Sequence, residues 1–194
     1  MTVRSTPIRT VDGRELPLPG TWNADPSHSE IQFVVHHMMI AKVRGRFRGF
    51  TCTVQIAPNP ADSSVETVID AASIDTGDPT RDEHLRSVDF LDVEHHPHIT
   101  FRSTSVRLTD EGRWEVLGDL TVLDAAVPTS LALDYLGSTI DPWSGTRTAF
   151  EASTEIDREA FGLTWNKALE TGGFLVGRRV RVELDIEAVL VDPS

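Results

Sequence analysis

The chain has 194 residues, of which 25% are charged, and a formal net charge of −12. That length suits a single domain that buries its own core without staples. The acidic balance excludes nucleic acid as a partner, because phosphates call for a basic surface, and argues against docking on an anionic membrane.

Residues 1–20 are polar and contain proline, with no apolar core after the basic residues, so they read as an N-terminal tail without a secretion signal. Residues 21–194 form the domain. No apolar run approaches the roughly 18 residues of a membrane-spanning helix, so no stable membrane insertion is expected and the expected location is the cytoplasm. Cys52 stands alone, which excludes a disulfide framework and a zinc site of paired thiols. Within its strand-like run it reads as a small buried hydrophobe.

Residues 21–25 predict a short first strand, ended by Pro26. Across 28–37 apolar and polar residues alternate, with Ile31, Phe33 and Val35 on one face and Glu30, Gln32, Val34 and His36 on the other. Residues 38–43 have no clean period and read as a helical turn or loop. Residues 44–57 give another strand, with Gly45 and Gly49 permitting a bend. Across 64–76 alternation returns, with Val65, Thr67, Ile69 and Ala71 together.

The chain then leaves the β pattern. Asp78 is placed to cap a short helix over 79–88, and Pro79 suits its first position. Leu85, Val88 and Phe90 are expected to tack it onto a core, while Arg81 and His84 share a face. Strands follow at 98–108 and 114–123, joined by a hairpin turn at 110–112. Further strands are predicted at 130–136, 148–156 and 178–191, with a turn at 141–145. In the last strand Val180, Val182, Leu184, Ile186 and Ala188 alternate with charged residues. About eight strands with one apolar face, mostly joined by short turns, predict a closed antiparallel barrel or a sandwich. A barrel of that size either fills with side chains or encloses one ligand, and periodicity does not distinguish the two.

Several runs together resemble the YceI-like, lipocalin-related family. They are Trp22-Asn-Ala-Asp-Pro-Ser-His-Ser-Glu-Ile-Gln-Phe-Val-Val-His36, Val43-Arg-Gly-Arg-Phe47 and Arg81-Asp-Glu-His-Leu-Arg-Ser-Val-Asp-Phe-Leu-Asp92. Pro97-His-Ile-Thr-Phe101, Gly118-Asp-Leu-Thr121 and Arg158-Glu-Ala-Phe-Gly-Leu-Thr-Trp165 complete the set. The resemblance implies a lipocalin-like elongated antiparallel β-barrel with the short helix near its mouth. It also implies noncovalent binding of an amphipathic isoprenoid or similar lipid, such as a polyprenyl phosphate or an isoprenoid quinone. Storage, transport and sensing all fit such binding. The resemblance brings a homodimer as an expectation, no cofactor beyond the bound lipid, and no enzymatic activity.

On that reading the apolar tunnel is lined by Ile31, Phe33, Val35, Phe47, Ile69, Phe101, Leu133, Phe150, Phe161 and Trp165, the last closing one end. The head group falls to His36, Arg81 and His84 at the mouth. The chain departs from the family where Leu123, Asp124 and Val127 stand in place of a usual His, Gly and base. Arg178 likewise follows Gly177 where an acidic residue is common. No catalytic residue and no metal ligand is assigned. The main alternative is a metal centre around His95, His96 and His98 with hydrolytic activity. A filled barrel acting through its surface as a stress-linked interaction protein is another.

Overall fold

The alternating pattern becomes a ring of antiparallel strands in the computed structural model, which describes residues 7–38, 40–168 and 173–191. In chain order these are β1 (Ile8–Val11), β2 (Arg14–Pro17), β3 (Gly20–Ala24), β4 (Glu30–His37), β5 (Ala41–Phe47), β6 (Phe50–Ile56), β7 (Ser64–Asp70) and β8 (Ile74–Asp75). Helix α1 (Pro79–Arg86) follows, then β9 (His98–Leu108), β10 (Trp114–Val122), β11 (Ala125–Ile140), β12 (Thr146–Asp157) and β13 (Val176–Leu190).

The first three barrel staves are broken in the middle. β3 and β4, β5 and β6, and β7 and β8 each run on from one another, interrupted at Pro26, at Arg48 and Gly49, and at a 3-10 turn over Ala71–Ser73. The break after β3 stays bonded to β13 because the Ser29 hydroxyl donates to the Glu187 carbonyl at 3.0 Å and accepts from its amide at 3.0 Å. Counting each broken pair as one stave, the barrel has eight strands. It closes where β13 pairs with β12 on one edge and with β3 and β4 on the other. Closure removes the two free edges that an open sheet of these staves would have.

Two aromatic rings reach into the barrel because glycines face them. Phe33 pairs across from Gly45, where a Cβ would lie 2.3 Å from the ring. A Cβ on Gly118 would lie 2.6 Å from the Phe101 ring and 2.5 Å from the Arg102 carbonyl oxygen. Gly118→Ala is therefore expected to destabilise the fold by about 1–3 kcal/mol, since ring and backbone must both move. Urea unfolding reads this, and an unchanged midpoint would show that the sheet yields freely there.

The expectations along the chain meet the structure closely, apart from the break in the 64–76 run at Ala71–Ser73 and four further differences. Met38 and Ile40 lie in a turn, and β5 starts at Ala41. β11 is much longer than 130–136: Pro128 lies inside it, bonded only to β10, because pairing with β12 starts at Ala132. A proline is tolerated where a strand has one neighbour. Val88 does not tack the helix down and is exposed. Within the stretch read as a tail, β1 and β2 form a hairpin turning at Asp12 and Gly13, both with positive φ. Arg9 ties that hairpin to the Ala57 and Pro58 carbonyls at the end of β6, and Arg14 ties it to the Gly112 carbonyl in the β9–β10 turn. It therefore spans one end of the barrel.

The same end carries an ionic knot. Arg147 donates to Asp25 at 2.7 Å, to Asp141 at 2.8 Å and to Glu187. This hydrogen bond from Arg147, with help from the Ser27 amide and His28, holds the Asp25 carboxyl far below the ordinary carboxylate range. Asp141 is lowered too, again chiefly by Arg147. A carboxyl depressed in the folded state contributes stability above its unfolded value of about 3.9, and loses it as pH falls through the folded value. Arg147→Met should therefore lower the urea midpoint most near neutral pH, with the difference shrinking below pH of about 4. A difference that stays constant with pH would assign the role of Arg147 to packing.

Candidate functional site

The opposite end carries α1, which packs against Trp165 beyond the end of β12. Asp78 caps the helix by accepting from the Thr80 and Arg81 amides at 3.1 and 3.2 Å. Asp82 is buried and accepts from the Thr76 amide at 2.9 Å and from its hydroxyl. Arg86 donates to the Ala72 and Ile74 carbonyls at 2.8 and 2.7 Å. These bonds pull the helix onto the barrel rim, where Leu85, Phe90 and Leu91 face inward.

Between the two ends lies a cavity of about 270 Å3. Its wall is almost wholly apolar, and Ile31, Phe33, Val35, Phe47, Ile69, Phe101, Leu133 and Phe150 all belong to it. Cys52 is buried and also reaches this wall, with burial raising its thiol pKa. Inward residues of β12 and β13 such as Ala152, Val182 and Leu184 keep accessible surface although they point away from solvent. A barrel filled by its own side chains would bury them. The interior is hollow.

Phe161 and Trp165 do not border the cavity. Phe161 is 2% exposed and packs in the core cluster with Ile31, Ile69 and Val122. Trp165 lies against the helix end, where the His84 ring meets Trp165 and Phe90 edge-on, with centroids 4.7 and 5.1 Å apart. The residues expected at the head group do not converge. His36 is exposed, next to the inward-facing Val35. Arg81 turns to Thr76, donating to its hydroxyl at 2.7 Å and its carbonyl at 2.9 Å. His84 Nε2 lies 2.9 Å from Asp89.

The sequence reading passed over Arg158. It is the one charged residue of the cavity wall among the described residues, and it is 3% exposed. Its Nε donates to the Gly177 carbonyl at 3.0 Å, and its Nη1 donates to the carbonyls of Trp165 at 3.0 Å and of Leu163. These bonds also tie Leu163 and Trp165 to Gly177 of β13.

The sequence model of the YceI-like domain matches residues 22–188. The chain belongs to the YceI-like family. A UPF0312 protein of Staphylococcus epidermidis is 34% identical over 168 residues, covering 86% of this chain and 95% of its own. A UPF0312 protein of Ectopseudomonas mendocina is 37% identical over 138 residues, covering 71% and 72%. Among solved structures, BcnA of Burkholderia cenocepacia superposes with a TM-score of 0.74 at 22% identity, over 84% of this chain and 98% of that one. A polyisoprenoid binding domain from Saccharophagus degradans does so with a TM-score of 0.62 at 14% identity, over 90% and 100%. At these identities the structures establish the shared barrel.

Within this YceI-like barrel the histidine cluster does not assemble. His95 Nδ1 lies 2.9 Å from Asp92, which raises the His95 pKa, and His96 Nδ1 lies 3.7 Å from Asp124. Asp25, His28 and Glu187 are the one group with metal-ligand spacing among the described residues. Arg147 already donates to both carboxylates there, placing a fixed positive charge where a cation would bind. Among the described residues no helix is long and apolar enough to cross a membrane.

Proposed function

We propose that this chain binds an amphipathic isoprenoid or similar lipid noncovalently inside the barrel and performs no chemical step on it. The hollow apolar interior carries this reading. A prenyl chain has no polar groups along its length, so its affinity comes from apolar area removed from water, at about 25 cal/mol per Å2. The wall offers such a surface almost without interruption. That a polyisoprenoid binding domain shares the barrel supports the same ligand class.

Size sharpens the expectation. An apolar cavity of about 150 Å3 takes one benzene, so the 270 Å3 here takes on the order of ten carbons with no wall movement. A longer polyprenyl phosphate or quinone requires Phe33, Phe101 or Phe150 to change rotamer, or a tail that leaves by one end. Native mass spectrometry of the protein purified from its own host, with organic extraction of what it carries, tests the proposal. A lipid at one per chain is the expected result; a chain that neither carries a lipid nor takes one up when offered would defeat it.

A further inference from the structure

Arg158 is an unusual occupant of a lipid cavity. The Nη2 group is sealed from solvent and has no hydrogen-bond partner. A buried donor left unpaired on a charged group costs more than one on a neutral group. The partners of Nε and Nη1 are all backbone carbonyls, so no carboxylate bonds to the guanidinium. Its two sequence neighbours are engaged elsewhere: Arg178 bonds to Asp157 at 2.8 Å and approaches Glu159 at 3.3 Å. Burial lowers the Arg158 pKa, with Glu159 and Asp157 opposing only from a distance. Arginine nonetheless keeps its proton in proteins. A full positive charge thus stands at the wall of an apolar cavity with one donor unused and no directly bonded counter-ion.

We propose that Arg158 is the internal receptor for an anionic lipid head group, a phosphate or carboxylate oxygen bound by Nη2, with the tail running toward the β1–β2 hairpin. This rests on the reading of the cavity as a lipid site. It moves the polar end of the ligand from the surface residues of the α1 rim to the interior. The site also gives the Arg178 departure a use, because Arg178 keeps the adjacent carboxylates from neutralising Arg158.

The test compares two probes with one tail, farnesol and farnesyl phosphate, titrated calorimetrically into the lipid-free full chain. Farnesyl phosphate is expected to bind at least tenfold tighter. In Arg158→Met that preference should vanish while farnesol still binds. Equal affinities in the unmodified protein would overturn the role of Arg158 and leave the cavity reading standing. Failure of both probes to bind would overturn the cavity reading and this one with it. Because Arg158 also anchors backbone, Arg158→Met can fail to fold, and phosphorus NMR of the unmodified complex covers that case. The second ionisation of the bound ester should fall below its free value of about 6. An unshifted ionisation would overturn the proposal.

Discussion

Trp22→Ala is expected to remove about 3–5 kcal/mol of unfolding free energy, the range for deleting a large buried aromatic side chain. Trp22 is 0% exposed and packs with Cys52, Val54, Ile186 and Ala188. It lies in β3, which is bonded to β6 on one side and to β13 on the other. Its indole N–H donates to the Leu18 carbonyl at 3.1 Å. The substitution therefore opens a void at the seam and leaves that carbonyl without its partner. At roughly 2–4 °C per kcal/mol for a chain of this size, the melting temperature should fall by about 10 °C. Trp22→Phe, which keeps most of the ring volume, should lose much less. Similar losses for both would mean that the hydrogen bond, and not the packing, dominates.

Ala152→Phe is expected to leave the fold within about 1 kcal/mol of the parent and to cut lipid loading at least tenfold, because the added ring goes into empty space and meets no packed neighbour. Ala152 lies on the cavity wall, between Leu133 of β11 and Leu184 of β13 in register. A ring there crosses the lumen between the two ends. Lipid at one per chain in this variant, measured by native mass spectrometry, would put the ligand somewhere other than the lumen. Destabilisation by several kcal/mol would mean that the interior has less free space than its wall indicates.

Much of this wall was readable from alternation alone. Ile31, Phe33 and Val35, and likewise Val180, Val182 and Leu184, share a face because side chains alternate along a strand. The bounds of β9 were legible because Pro97 stops pairing on one side and the 110–112 turn on the other. What the sequence left open was volume. Periodicity tells which way a valine points and not whether anything meets it. The N-terminal hairpin was missed although Asp12-Gly13 is a strong two-residue turn signal. The polar composition around it suggested a tail.

Arg158 was missed for a related reason. The inward series Phe150, Ala152, Thr154 and Ile156 arrives, two residues later, at position 158. A charge just beyond a strand of that pattern gives no sign in the sequence that it turns inward. His36, Arg81 and His84 are donors by type. Two of them spend that capacity locally, on Thr76 and Asp89, as a sequence does not reveal.

The seam has a consequence for how the protein is made. β3 pairs with β13, so Trp22 of the first stave meets Leu190 of the last. Contacts between such distant residues form late and slowly, because a long loop must close first. The last stave leaves the ribosome only after all the others. Until then the lumen is an open trough, with the apolar faces of the earlier strands exposed to whatever surrounds the nascent chain. A greasy molecule can be enclosed at that moment without any later opening of the finished barrel.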